Sequence, residues 1–432
     1  MTTPTATSFP RWIPLLGGFL GSTTCGLLLY AFSLLIKPLM QEFGWAQTEV
    51  AFAYALICFV FGMMTFPGGK LSDKFGPRNV VLVGGIVLAL GFYLVSTLTP
   101  PDPAVLAAGG EAAKGAAKTQ LYLFYLYYGV LAGFGGAFVY LPPIAVASKW
   151  WPDKKAMATG FTVVGLGVGS FIMVPIATRI MAAHGGSALP VFQYVGIAMA
   201  VLVVTAALCL KNPPAGYKPA GWEPPAPPAG AKEPKAFRDY TYEESKKTPQ
   251  FWLLWISYFC GSFAGLMCIG LIAKHGADAG NPNPGLAVQA LAITNAAVRV
   301  LIGPIVDKLG GTKKLFVILF SLQALAMVAL YPAGSNTLLL AITAALIGWN
   351  YGAMFTLFPA TTLNYYGSTA QGSNYGLLFT AWGVAGLFGP TFGSKLQAMT
   401  NSFFVPFIVS AVVLAVAVVI LATMKTPERK SA

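Results

Sequence analysis

Twelve runs of mainly apolar residues divide this chain. Each is long enough to cross the hydrocarbon core of a bilayer, about 30 Å thick, as a helix of about 20 residues. Because lipid offers the backbone no hydrogen-bond partners, each run must pair its own amides and carbonyls. The sequence therefore predicts an all-α membrane protein with twelve transmembrane helices. The runs lie near 14–37, 48–68, 79–98, 120–148, 156–182, 189–210, 250–275, 286–306, 314–333, 336–362, 374–398 and 401–424.

The charged residues indicate the surroundings and the orientation of the chain. Only 9% of the 432 residues are charged, against about 25% in soluble domains, so the lipid bilayer must cover much of the surface. The net charge of +13 is not a nucleic-acid footprint, because twenty of the 27 lysines and arginines fall in alternate breaks between the runs. Basic residues mark the cytoplasmic face. We expect a multi-pass protein of a bacterial inner membrane with both termini cytoplasmic.

The longest polar break separates the chain into two parts. Residues 211–248 lie between the sixth and seventh runs, and the stretch from Pro213 to Pro228 is rich in proline, which favours an extended linker. The prediction is an N-terminal six-helix bundle over 1–210 and a C-terminal bundle over 249–432. Residues 237–247 are expected to form a short amphipathic helix on the membrane surface.

A loop motif of the form G-x-x-x-D-K-x-G occurs twice, six runs apart and on the same side of the membrane. Glycine permits a tight turn there, and aspartate can stabilise a neighbouring helix end. The alternative is that these residue types are simply common in cytoplasmic turns. The duplication favours two pseudo-symmetric bundles joined by a conformational loop motif. Its residues are Gly69, Asp73, Lys74, Gly76 and Arg78 after the second run, and Asp307 and Lys308 after the eighth.

This duplicated loop resembles the signature of the major facilitator superfamily, whose two halves rock around a site at the membrane midplane. Residues 151–169, 248–252 and the Asn374-Tyr375-Gly376 triplet are similar to the monocarboxylate transporter family and to the oxalate/formate antiporter group. The resemblance covers essentially the whole chain and implies alternating access. We expect a monomer, because each half can cover the other. The first run departs from the animal carriers, since it lacks their acidic-glycine pair.

Arg299 is the only basic residue in the middle of a run, and none of the fourteen acidic residues lies at that depth. A cation there costs at least about 2.5 kcal/mol, so it should face a wet cavity. Guanidinium pairs with a carboxylate through two hydrogen bonds, and an anion from solution is the natural partner. Asn295 lies one turn earlier on the same face. The alternative is that Arg299 bonds helix carbonyls and has a purely structural role.

The resemblance implies a cavity lined by the first, fourth, seventh and tenth helices, with contributions from the fifth, eighth and eleventh. Trp382 stands where the oxalate/formate exchangers carry a second cation. One cation matches a monoanion, so we expect transport of a small monocarboxylate such as lactate or pyruvate. The alternative is an organic-anion antiporter of the oxalate/formate type, and each aromatic residue alone could be helix packing. Besides Arg299 and Asn295, the predicted binding residues are Leu29, Tyr30, Tyr140, Leu166, Tyr351, Phe355, Phe379 and Trp382.

His275 is the candidate residue for proton coupling or gating, because imidazole titrates near neutral pH. Lys274 and Asp278 lie beside it near the outer end of the seventh run, and the three could carry a proton or gate the outer mouth. The alternatives are an interfacial loop cluster, a substrate that brings its own proton, and exchange of one anion for another.

The same residues argue against other classes of protein. An enzyme needs a nucleophile–base pair or a metal cluster within the runs. The chain has two histidines, His184 and His275, both near run ends, and its five cysteines lie within apolar runs without ligand spacing. We therefore expect no enzyme activity, no metal and no cofactor. A channel would show a filter-like repeat, which is not seen.

Overall fold

The computed structural model describes most of the chain, and the structural statements below refer to that part. The described residues are 9–29, 32–102, 104, 111–214, 216–219, 221–222, 237–309, 311–428 and 430–431.

Twelve helices of the described part are long and apolar enough to cross a membrane, which confirms the predicted fold class. They are α1 Trp12–Leu29, α2 Gln47–Phe75, α3 Pro77–Ser96, α4 Ala117–Trp150, α5 Lys155–Ala183, α6 Leu189–Cys209, α7 Pro249–Asp278, α8 Gly285–Leu309, α9 Lys313–Leu330, α10 Thr337–Tyr366, α11 Gln371–Thr400 and α12 Phe404–Thr423. With an even number of spans, α1 begins and α12 ends on one side, called the terminal side below. The opposite side is called the far side.

The first predicted run contains two described helical segments, separated by residues 30 and 31, which lie outside the described part. Helix α1 ends at Leu29, and a second helical segment, Phe32–Phe43, follows it. The hydroxyl of Tyr128 donates to the carbonyl of Leu28 in the last turn of α1 at 3.0 Å. Tyr128 belongs to a π-helical stretch of α4, Tyr125–Ala132. Such stretches are often found at functional sites.

Glycines bring the two halves into close contact along two helix pairs, α2 with α11 and α5 with α8. A Cβ atom at Gly62 would lie 2.3 Å from the Cα of Gly383, and one at Gly160 would lie 2.0 Å from the carbonyl oxygen of Arg299. These separations are too short for any side chain. Small residues are therefore what allows the backbones of the two halves to touch.

The halves touch on the terminal side and separate toward the far side. The face of α5 that carries Gly160 and Gly167 contacts α8, but one turn farther along that face Phe171 is 83% exposed. The matching face of α8 behaves in the same way, because Ala296 contacts Gly167 whereas Ala292 is exposed. Along this pair of helices, the two halves are therefore in contact near the terminal side and apart near the far side.

The linker after the first half folds back onto the second half. Phe237–Arg238 pairs antiparallel with Lys430–Ser431, and the amide of Tyr240 donates to the carbonyl of Tyr366 at 2.9 Å. The predicted amphipathic helix over 237–247 is wrong, because only the single turn Tyr242–Ser245 is helical. Hydrogen bonds to the second half, rather than an apolar face against lipid, determine the conformation of this segment.

Asp239 is the centre of that attachment. Its Oδ2 atom accepts hydrogen bonds from the amides and hydroxyls of both Ser368 and Thr369, over 2.8–3.3 Å. Partial burial alone would raise the pKa of the Asp239 carboxyl, but these hydrogen bonds outweigh it and hold the pKa below its ordinary value. The linker is therefore attached to the α10–α11 loop by an ionised carboxylate.

Asp239→Asn is expected to loosen the linker, because a neutral amide oxygen accepts more weakly than a carboxylate. Trypsin should then cleave at Arg238, Lys246 or Lys247 several times faster than in the wild type, as measured by gel densitometry. Since the pKa is lowered on folding, the contribution is present above the ordinary aspartate pKa of about 3.9 and is lost only below it. The wild-type cleavage pattern should therefore not change between pH 8 and pH 5.

Glu243→Gln is the matched control, because the Glu243–Lys246 pair on the same segment is an exposed i,i+3 contact of the kind that contributes little. If both variants were cleaved at the wild-type rate, Asp239 would not be what fastens the linker.

Candidate functional site

Arg299 lies deep in α8 with 1% of its surface exposed. Nη1 donates to the carbonyl of Val163 at 2.9 Å, and Nη2 donates to Oδ1 of Asn295 at 3.0 Å. The guanidinium carbon lies 4.6 Å from the ring centroid of Phe355, a cation–π contact. These three partners are neutral, and burying a charge among neutral groups is costly.

The bond to Val163 crosses between the halves, since α5 belongs to the first half and α8 to the second. Arg299 therefore lies at the contact surface of the two bundles, beside the Gly160 crossing. A carbonyl partner of this kind is also what the structural alternative predicts.

The predicted aromatic residues lie together next to Arg299. Trp382 Nε1 donates to the hydroxyl of Tyr351 at 2.9 Å, and the ring of Phe379 lies 5.3 Å from those of Trp382 and Tyr140. Phe355, which stacks on Arg299, lies 6.2 Å from Phe379. Helices α4, α8, α10 and α11 thus contribute to one aromatic cluster around the guanidinium.

The two predicted leucines have different positions. Leu166 is 3% exposed and lies one turn beyond Val163 on α5, with its carbonyl against Gly26 of α1. Leu29 is 5% exposed, at the end of α1. Tyr30 lies outside the described residues.

Several central residues were missed from the sequence. Phe61 of α2 lies 5.5 Å from Tyr140 and 5.9 Å from Trp382. Tyr258 of α7 lies 5.9 Å from Phe379, and its hydroxyl is 3.5 Å from that of Tyr375. For Tyr258 the sequence did contain a signal, because a tyrosine in the middle of a span needs a hydrogen-bond partner for its hydroxyl away from lipid. Ser262 of α7 was also missed and carried no such signal.

The His275 group lies at the far-side end of α7. The ring is 3% exposed, and Nε2 lies 3.1 Å from the carbonyls of Leu330 and Tyr331. Lys274 donates to Gln397 at 3.2 Å, and Asp278 ends the helix. His275 is ten residues, about 15 Å, beyond the point where α7 meets Tyr351, so the group is separated from Arg299. Its role in proton coupling or gating stays a prediction.

The duplicated loop motif makes two equivalent contacts between the halves on the terminal side. Asp73 accepts hydrogen bonds from the amides of Gly372 and Ser373 at 3.3 and 2.8 Å. Asp307 accepts from the amides of Ala156 and Met157 at 3.0 and 2.9 Å. Each carboxylate therefore binds the first turn of a helix in the opposite half, α11 or α5, where free amides and the helix dipole favour an anion.

The other motif residues surround these contacts. Gly69 packs against the backbone of Gly372, and Gly76 has a φ of +86° at the turn that ends α2. Lys74 Nζ lies 5.1 Å from the ring of Phe75, and Lys308 is in the last turn of α8. Arg78 lies in the first turn of α3 and is exposed.

Comparison with known families gives a match over nearly the whole chain. The Major Facilitator Superfamily model matches residues 18–280 and 275–432. The chain belongs to the Major Facilitator Superfamily. As a member of this superfamily it is a multi-pass membrane transporter rather than an enzyme, as the sequence predicted.

The chain is similar in sequence to members of both groups that the sequence motifs indicated. It is 27% identical to the oxalate:formate antiporter of Oxalobacter formigenes, covering 97% of this chain and 94% of the relative. It is 24% identical to monocarboxylate transporter 13 of Bos taurus, covering 92% and 85%. The predicted resemblance to these groups is confirmed.

Solved structures support the fold. The chain matches FucP, a superfamily transporter in the outward conformation, with a TM-score of 0.66 and 13% identity, over 96% of this chain and 98% of FucP. It matches the proton:xylose symporter XylE with a TM-score of 0.66 and 12% identity, over 95% and 94% of the two chains. At this identity the likeness shows the major facilitator fold alone.

Proposed function

We propose that this protein is a secondary active transporter of small monocarboxylates such as lactate or pyruvate. It works by alternating access around Arg299 and couples transport to protons. The observation that carries the proposal is the buried guanidinium at the contact between the halves, with neutral groups as its described partners. A carboxylate arriving from solution would neutralise it and pair with it in bidentate geometry.

The single cation at the site, Arg299, favours a substrate with one negative charge. Trp382, where a second cation would be expected in an oxalate/formate exchanger, is hydrogen-bonded to Tyr351 and closes the cluster with an apolar ring. A dianion bound here would keep one charge uncompensated in a poorly hydrated place, which is unfavourable. The names of the two relatives support a small carboxylate as the class of substrate.

The basic residues of the loops on the terminal side favour a cytoplasmic location for that side. The contacts of Asp73 and Asp307 then close the cytoplasmic side, and the separated faces of α5 and α8 open toward the outside of a bacterial inner membrane. In this state Arg299 would receive substrate from outside. Opening the cytoplasmic side requires both carboxylates to leave their helix ends.

A second candidate is an organic-anion antiporter of the oxalate/formate type. It is favoured by the similarity to the oxalate:formate antiporter over 97% of this chain. Exchange would need no proton-carrying residue, since each anion leaves as another enters.

Purified protein in liposomes tests the proposal. We expect saturable uptake of radiolabelled lactate that follows an imposed inward proton gradient and is inhibited by pyruvate but not by glucose. Uptake that requires internal oxalate or formate, without a response to the gradient, would favour the antiporter. Competition by glucose in place of pyruvate would contradict the carboxylate assignment.

A further inference from the structure

Ser262 lies on the face of α7 that packs toward the aromatic cluster around Arg299. Four residues before it, Tyr258 contacts Phe379. Three residues after it, a Cβ at Gly265 would lie 2.3 Å from the ring of Tyr351. Residues three and four apart share a helix face. Ser262 therefore lies on the side of α7 that faces α10 and α11, between the levels of the Tyr258 and Gly265 contacts.

The hydroxyl of Ser262 is fully buried and has no hydrogen-bond partner within the described part of the protein. A helical serine usually donates to a carbonyl of the preceding turn. Two others in this half do so, Ser257 to Leu253 at 2.8 Å and Ser410 to Pro406 at 3.0 Å. A buried hydroxyl without a partner is destabilising, so a group that enters the centre is the natural partner for Ser262.

We propose that Ser262 determines substrate specificity by hydrogen-bonding a hydroxyl or oxo oxygen next to the substrate carboxylate. This rests on the proposed function, in which Arg299 holds the carboxylate itself. Arg299 lies over Phe355 of α10, and Tyr351, one turn earlier on the same helix, packs against Gly265 of α7. In this proposal an acid whose carboxylate is held by Arg299 directs its 2-substituent past these rings toward α7.

The chemistry of the hydroxyl suits both kinds of substituent. A serine hydroxyl can accept a hydrogen bond from a 2-hydroxyl group and donate one to a 2-oxo group. The indole of Trp382 cannot serve in its place, because its one donor is used on Tyr351. An unsubstituted acid such as propionate leaves Ser262 unpaired, and sites built for a hydrogen bond discriminate against analogues that lack it.

The test compares Ser262→Ala with Ser257→Ala, in which the lost hydroxyl already bonds its own helix. Uptake of lactate, pyruvate and propionate is measured in liposomes after size-exclusion chromatography confirms that each variant is folded. In Ser262→Ala, we expect the KM for lactate and pyruvate to rise about tenfold while that for propionate stays at the wild-type value. Ser257→Ala should leave the KM values for all three acids unchanged.

The outcomes separate the two proposals. If the wild type transports these acids and Ser262→Ala keeps the wild-type preference for lactate over propionate, the assignment of Ser262 is overturned and the proposed function stands. If the wild type transports none of the three acids, both are overturned. A loss of preference in Ser262→Ala that is restored by Ser262→Thr, which returns the hydroxyl, supports the assignment.

Discussion

Arg299→Ala is expected to reduce saturable lactate uptake at least about a hundredfold, because removing one partner of a buried charge pair costs about 3 kcal/mol or more. Arg299→Lys should lose most of this uptake too. Lysine keeps the charge but cannot make the planar bidentate pair or the same contact with Phe355. The measurement is radiolabelled uptake in liposomes that contain equal amounts of folded protein.

The control is Arg179→Ala, which removes an arginine from an exposed position on α5 and should transport normally. Wild-type uptake by Arg299→Ala would rule out the site. Failure of both Arg299 variants to fold would instead show that the bond to Val163 is what the protein needs, as the structural alternative holds.

Asp73→Asn combined with Asp307→Asn is expected to have the next largest effect. Each substitution removes a carboxylate from the first turn of a helix in the opposite half, where it pairs with two amides and with the helix dipole. In the proposed alternating-access mechanism, both contacts exist only while the terminal side is closed. Their loss should shift the population toward the state that is closed on the far side, and lower uptake about tenfold.

The shift can be measured by labelling a cysteine at Phe171, which is 83% exposed where the halves separate. The labelled variants also carry Cys209→Ser, which removes the one native cysteine that is not buried. Maleimide labelling of Phe171→Cys should slow severalfold when both aspartates are replaced, and by less when only one is replaced. Glu243→Gln serves as the control, since Glu243 is an exposed acid whose ion pair with Lys246 stays within one short segment. An unchanged labelling rate in the double variant would contradict the proposed role of the loop motif.

The twelve helices were predictable because their formation in a membrane is a local requirement. Each apolar run must satisfy its own backbone hydrogen bonds in lipid, so length and composition suffice to locate it. Arg299 could be selected for a similar reason, since a charge at mid-depth is costly whatever surrounds it. The duplicated aspartates were visible as a repeated motif, but their partners on α5 and α11 were not, because those lie about 150 and 300 residues away along the chain.

The sequence by itself determined the membrane fold, the two related halves and the single charge at the centre. Only the tertiary structure decided which side chains meet that charge. Contacts such as Trp382 with Tyr351, or Phe61 with Tyr140, depend on how helices distant in sequence cross, and hydrophobic periodicity does not contain this information. The same holds for Ser262, since any buried serine can bond its own helix. That the hydroxyl of Ser262 makes no such bond is visible only in the structure.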